Sequence, residues 1–216
     1  MTAPGRNIKQ LDLSRCKLRD LGGLVRYDSF PALAELNLSE NSFVDLTGIE
    51  FLGCLHTLNL SRNGIETLYV GGVEVQQGLN ALPSLKTLDI SYNQLVDLNG
   101  LQYANLKDLR GLLAHHNAIN RIEHLDMLKS LHNLDLAANK VREIGHNSFP
   151  PGNDIRSVRL DDNLLINLTH LGKLGSIEVL SLSSNKIKET FEIEKIADLP
   201  KLRELNLKGN PMTRKV

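Results

Sequence analysis

The sequence predicts an α/β repeat solenoid: a horseshoe whose concave parallel β-sheet of about nine strands is backed by convex 3₁₀ and short helical segments. Three observations carry this. A block of the form L-x-x-L-x-L-x-x-N-x-I/L recurs nine times between Ile8 and Met212. Its anchor residue, usually asparagine, falls at Cys16, Asn41, Asn63, Asn93, Asn117, Asn139, Asn163, Asn185 and Asn210, in steps of 25, 22, 30, 24, 22, 24, 22 and 25 residues. Within each block the apolar residues alternate at a period of two before the anchor and recur at about three after it.

The first element of each repeat is a short strand. In the stretch from Leu55 to Leu60, alternation puts Leu58 and Leu60 on one face. Stacking equivalent strands at about 4.8 Å forms a parallel sheet. Its inward columns are then Leu11, Leu36, Leu58, Leu88, Leu112, Leu134, Val158, Leu180 and Leu205, and beside them Leu13, Leu38, Leu60, Ile90, Ala114, Leu136, Leu160, Leu182 and Leu207. No single repeat can bury its own apolar face, so the fold exists only as a stack.

The second element is the turn at the strand's end. There the chain leaves the sheet, and backbone N–H and C=O groups of adjacent repeats lose their strand partners. A carboxamide both donates and accepts, so asparagine satisfies both groups. Asn41, Asn63, Asn93, Asn117, Asn139, Asn163, Asn185 and Asn210 are therefore expected to form a structural ladder. The third element is convex: the apolar spacing in Leu46 to Leu52, Leu98 to Leu101 and Leu168 to Leu174 suits 3₁₀ or single-turn helix.

These residues carry a resemblance to the leucine-rich repeat family. The repeat length and the convex spacing look like the 22-residue subclass found in the protein phosphatase 1 regulatory subunit, the leucine-rich axonemal dynein light chain and the spliceosomal U2 A-prime protein. The pattern allows Cys16 in place of asparagine in the first copy. The resemblance spans residues 8 to 212 and implies the fold more than the partner.

Residues 1–216 read as one domain. The step after Asn63 is lengthened near Tyr69 to Gly78, which reads as a surface excursion, and His146 to Asn153 reads as a rigid irregular loop. A solenoid needs capping elements over its end repeats. The family's turn is present at Gly209-Asn210-Pro211, but only Thr213 to Val216 follow it and only Met1 to Asn7 precede the first block. The expectation is the repeat domain of a longer protein.

Twenty-five basic residues balance 25 acidic ones, so no global charge favours nucleic acid or an anionic membrane. Lys201, Arg203, Lys208, Arg214 and Lys215 make the C-terminal end basic, which reads as solvation. Cys16 and Cys54 sit at non-equivalent positions and predict no bridge. No apolar signal core or membrane-length run is present. These features point to the cytoplasm, with nucleus or cilium as alternatives. The glycosylation patterns at Asn37, Asn59 and Asn167 follow from the repeat's own L-x-L-S habit.

No phosphate-binding glycine loop, metalloprotease helix, zinc-type cysteine pair or nucleophile elbow is present, so no catalytic residue and no cofactor is expected. His115 and His116 are adjacent, but neighbours on a strand face opposite ways and His132 lies a repeat away, so no metal site is expected. Asp161-Asp162-Asn163 lacks the later ligands of a calcium loop.

The outward strand residues define the concave face as three columns, beginning at Gln10, Asp12 and Ser14. In the first four repeats they are short and polar. From the fourth to the seventh they change, giving Tyr92, Leu113, His115, His116, Asp135, Ala137, Arg159 and Asp161. An exposed leucine flanked by histidine, tyrosine and arginine is hot-spot chemistry, so Tyr92, Leu113, His115, His116, Asp135, Arg159 and Asp161 are the candidate partner-binding residues. The bland alternative is that Asp135, Arg159 and Asp161 simply pair with one another. The expected function is a monomeric scaffold or adaptor docking another protein. Alternatives are a phosphatase regulatory subunit, a ciliary or cytoskeletal assembly factor, and a surface protein gripping a host receptor.

Overall fold

In a computed structural model, residues 5–22, 29–70, 78–146, 148–149 and 152–214 are described. The strands in chain order are β1 (Gln10–Asp12), β2 (Glu35–Asn37), β3 (Thr57–Asn59), β4 (Thr87–Asp89), β5 (Gly111–Leu113), β6 (Arg121–Ile122), β7 (Asn133–Asp135), β8 (Glu143–Ile144), β9 (Ser157–Arg159), β10 (Val179–Ser181) and β11 (Glu204–Asn206). Nine of them form one parallel sheet in the order β1-β2-β3-β4-β5-β7-β9-β10-β11.

The register follows the inward column residue for residue: Leu11 opposes Leu36, then Leu58, Leu88, Leu112, Leu134, Val158, Leu180 and Leu205. Because each strand is only three residues long, a single buried leucine at its centre decides the register; a slip by one would turn that leucine to solvent. The sheet and the convex layer enclose one continuous apolar core running from Leu21 to Met212. At the edges of the sheet the burial falls: Leu205 in β11 is 39% exposed, whereas Leu112 in β5 is fully buried.

The convex side holds 3₁₀ turns at Ile49–Phe51, Gly78–Ala81, Leu101–Tyr103, Leu171–Lys173, Thr190–Ile193 and Pro211–Arg214, with one short helix, α1 (Glu194–Ala197). Two repeats depart from that expectation. β6 and β8 instead form a second, two-stranded parallel sheet, pairing Arg121 with Glu143 and Ile122 with Ile144. The Arg121 guanidinium meets the Glu143 carboxylate at 3.3 Å. Of the two irregular stretches read from sequence, 71–77 in the first and residues 147, 150 and 151 in the second lie outside the described residues. Ser148 does anchor the second, its hydroxyl donating to the carbonyls of Ile122 and Gly145.

The asparagine ladder is visible bond by bond. Asn93 donates through Nδ2 to the Leu60 carbonyl of the preceding repeat at 3.0 Å and accepts the Ile65 N–H on Oδ1 at 3.0 Å. Asn41, Asn63, Asn117, Asn139, Asn163, Asn185 and Asn210 make the same two-way link. Cys16 does not, and among the described residues no strand precedes β1 for it to bond.

The residue before each anchor was not singled out from sequence, yet it is the most constrained in the repeat. Arg15, Glu40, Arg62, Tyr92, His116, Ala138, Asp162, Ser184 and Gly209 all have φ between 52° and 79°. That left-handed step lets the strand turn sharply into the ladder, and only one of the nine is glycine, the residue to which it comes without steric cost.

Candidate functional site

The concave face is built from side chains that leave the nine strands of the main sheet away from the core. Its second outward column is mostly Asp or Asn for a structural reason. The side-chain oxygens of Asp12, Asn37, Asn59, Asp89, Asp135 and Asn206 each accept the backbone N–H two residues on, at 2.8–3.1 Å. This Asx turn ends the strand. In the eighth repeat Ser181 holds the position, and Asp161 reaches across to accept the Ser183 N–H at 2.9 Å. Leu113 and Arg159 occupy the same column and cannot make the bond.

Those two departures line one feature. A shallow depression of about 380 Å³ lies over β4, β5, β7 and β9, bordered by Thr87, Arg110, Leu113, Asn133, Asp135 and Arg159, with Gly111 as its floor. Gly111 creates the recess by having no side chain. A Cβ there would meet Thr87 atoms at 3.7 and 3.8 Å, ordinary contact distances, so the backbone does not require glycine. Leu113 itself is half-buried rather than the exposed leucine expected from sequence.

Arg159 is held between two carboxylates, 3.2 Å from Asp135 and 3.8 Å from Asp161. The charge pairing weighed from sequence is thus present, and it positions the guanidinium at the rim of the depression. Asp161 is tied down further: Ser181 donates its hydroxyl at 2.6 Å and Ser183 donates both hydroxyl and N–H. Burial alone would raise this carboxyl's pKa, but the Ser181 and Ser183 bonds, helped by Arg159, hold it below the ordinary 3.8. The charged form is what the site is built around.

Tyr92, His115 and His116 form a separate cluster past the strand ends. The expectation that the two histidines face opposite ways is overturned. β5 ends at Leu113 and His116 is left-handed at φ 56°, so strand alternation no longer applies. Their Nδ1 atoms lie 2.9 Å apart, one imidazole donating and the other accepting. His116 stacks on Tyr92 with centroids 4.2 Å apart, and the Arg62 guanidinium lies over the same Tyr92 ring, 4.0 Å from its centroid. The seven candidate residues therefore divide into two groups: Leu113, Asp135 and Arg159 on the depression with Asp161 beside Arg159, and Tyr92, His115 and His116 in a separate cluster. No group of three or more metal-ligating side chains converges among the described residues. Both cysteines are free and exposed, and no described helix is long and apolar enough to cross a membrane.

Comparison with known proteins supports the architecture. A family model described as Leucine Rich repeat matches residues 6–25 and 81–103. A mouse protein, leucine-rich repeat-containing protein 36, is 40% identical over 80 residues, which are 37% of this chain and 10% of that protein. Tubulin-specific chaperone E of Drosophila melanogaster is 33% identical over 92 residues, 41% of this chain and 18% of that protein. The chain thus aligns with under a fifth of the length of either. Among solved structures, internalin C2 of Listeria monocytogenes superimposes with a TM-score of 0.72 at 25% identity, over 93% of this chain and 80% of that one. Toll in the Drosophila Toll–Spatzle complex gives 0.80 at 23% identity, over 95% of this chain and 27% of that one, a likeness of fold alone.

Proposed function

We propose that this leucine-rich repeat solenoid is a non-catalytic docking scaffold that grips a partner protein on its concave face, over the depression floored by Gly111. One observation carries the reading. In a column where the fold itself calls for Asp or Asn, the second-column residues on either side of Asp135 are Leu113 and Arg159. Of the three exceptions to that rule, Ser181 is replaced in its role by Asp161, whereas Leu113 and Arg159 flank one recess, which a binding face requires and a scaffold does not. The stacked sheet is ordered beforehand, so docking costs little conformational entropy. The chain acts as a monomer in the cytoplasm, or in nucleus or cilium, within the same proposal.

The test is affinity capture from lysate, read by mass spectrometry, with wild type, Leu113→Arg and Gly111→Leu as baits. Both substitutions point into the recess, and thermal melts confirm that the baits are folded. A partner held by wild type and lost by both variants is the expected result. Retention by both would sink the reading. Phosphatase catalytic subunits and axonemal or spliceosomal proteins are the preys that the 22-residue resemblance directs attention to.

A further inference from the structure

Each strand of the main sheet is preceded by one residue at the rim where the convex chain enters the sheet. These nine rim residues are stacked in strict register. The carbonyl of Lys9 accepts the N–H of Ala34, and the chain of bonds continues through His56, Lys86, Arg110, His132, Arg156, Glu178 and Arg203, every link between 2.7 and 2.9 Å. Six of the nine are Lys, Arg or His before the first acid, Glu178, is met. Strand spacing puts successive members about 4.8 Å apart.

Like charges opposite one another on neighbouring strands oppose folding, so this row needs a reason. Part of it is neutralised within the fold. Asp154 lies 3.0 Å from Arg156 and 3.3 Å from His132, and Glu178 lies 3.7 Å from Arg203. Lys86 and Arg110 sit side by side, both exposed, and neither has an ion-pair partner among the described residues. The opposite rim shows that this chain can pair such charges: there Arg15 bonds Glu40 at 2.8 Å, and Arg62 caps Tyr92. Arg110 also borders the depression over Gly111, which makes the row continuous with the docking recess.

We propose that the basic rim centred on Lys86 and Arg110 receives an acidic segment of a protein partner, one carboxylate side chain descending beside Arg110 into the recess. This rests on the docking reading above. A protein segment fits better than nucleic acid. The unpaired charge is local, the chain carries no net charge, and polyanion binding draws on many phosphate contacts at once.

Fluorescence anisotropy with a labelled ten-residue peptide of alternating Glu and Ser tests it. The comparison probes are a Lys/Ser peptide and a ten-nucleotide oligo-uridine, and the proteins are wild type, Lys86→Glu/Arg110→Glu and Lys140→Glu, the last an exposed cation beyond the ladder. Wild type is expected to bind the acidic peptide alone, more weakly as salt rises, with the double reversal weakening it at least tenfold and Lys140→Glu leaving it unchanged. No binding of the acidic peptide, or equal loss in Lys140→Glu, overturns the proposal. Tighter binding of oligo-uridine than of the peptide overturns the assignment to a protein. The two readings fail separately. Capture that depends on Leu113 but survives Lys86→Glu/Arg110→Glu discards the rim alone, and capture indifferent to Leu113 and Gly111 discards the recess.

Discussion

An asparagine at the corner of this solenoid closes two backbone gaps at once, and its worth follows from what its absence would leave behind. Removing Asn93 strands the Ile65 N–H in the interior and leaves the Leu60 carbonyl with the Asn63 amide as its donor. A buried orphan costs about 1–3 kcal/mol, so Asn93→Ala is expected to lower the urea-unfolding free energy by about 1–3 kcal/mol. A loss under half a kcal/mol would mean that the ladder is decorative. Asp161 illustrates a different dependence. Its carboxyl is held below its ordinary value in the fold, so the unfolded chain binds the proton more tightly. The stabilisation is therefore fully present above the ordinary carboxyl range and is lost as pH falls through the lower folded value. Thermal melts of wild type and Asp161→Asn should differ most near neutrality and converge in acid. A gap that widened on acidification would contradict the assigned hydrogen bonds.

At the scale of the repeat, the strand is three residues, the turn is one left-handed residue and an asparagine, and the convex return is nearly free to vary. Ala138 adopts φ 52° with no side chain that could hydrogen-bond locally to ease it. Non-glycine residues pay roughly 1–2 kcal/mol for this region, partly offset by the entropy glycine loses on folding. Ala138→Gly is expected to raise the melting free energy by up to about 1 kcal/mol, measured by chemical denaturation, and a destabilised variant would show that the turn's strain is relieved elsewhere. These features differ in how far the sequence reveals them. The leucine columns are legible because burial enforces alternation, and the ladder because a carboxamide is the side chain that both donates and accepts there. The left-handed position is not, since its occupants, from Arg15 to Gly209, share a backbone angle and no chemistry. The paired histidines escape strand alternation for another reason: β5 ends at Leu113, before either of them. The β6–β8 sheet arises from two successive repeats whose returns happen to align. The basic rim stands one residue before the first outward column, and strand alternation does not reveal it because its side chains lie outside the strands.

For the whole molecule, each repeat touches only its neighbours, so stability is a sum of repeats and interfaces rather than the property of one central core. The cost of a core truncation should then depend on position along the solenoid. Leu112 and Leu205 occupy the same register column, yet Leu112 is fully enclosed between β4 and β7 while Leu205 in β11 is 39% exposed. Leu112→Ala removes contacts on both sides and opens a cavity, at about 2–5 kcal/mol. Leu205→Ala loses less transfer energy and leaves a notch that water fills, at about 1 kcal/mol, the lower end of ordinary substitutions. The same asymmetry should appear in hydrogen exchange, where amides of β11 open before those of β5 because local opening at an end breaks one interface and at the centre breaks two. Equal unfolding costs for the two variants, with uniform exchange along the sheet, would mean that the nine strands fold as one indivisible unit. The recess over Gly111 would then owe its rigidity to the whole sheet. If position matters as expected, it owes it to its placement among the central repeats, where the sheet is held from both sides.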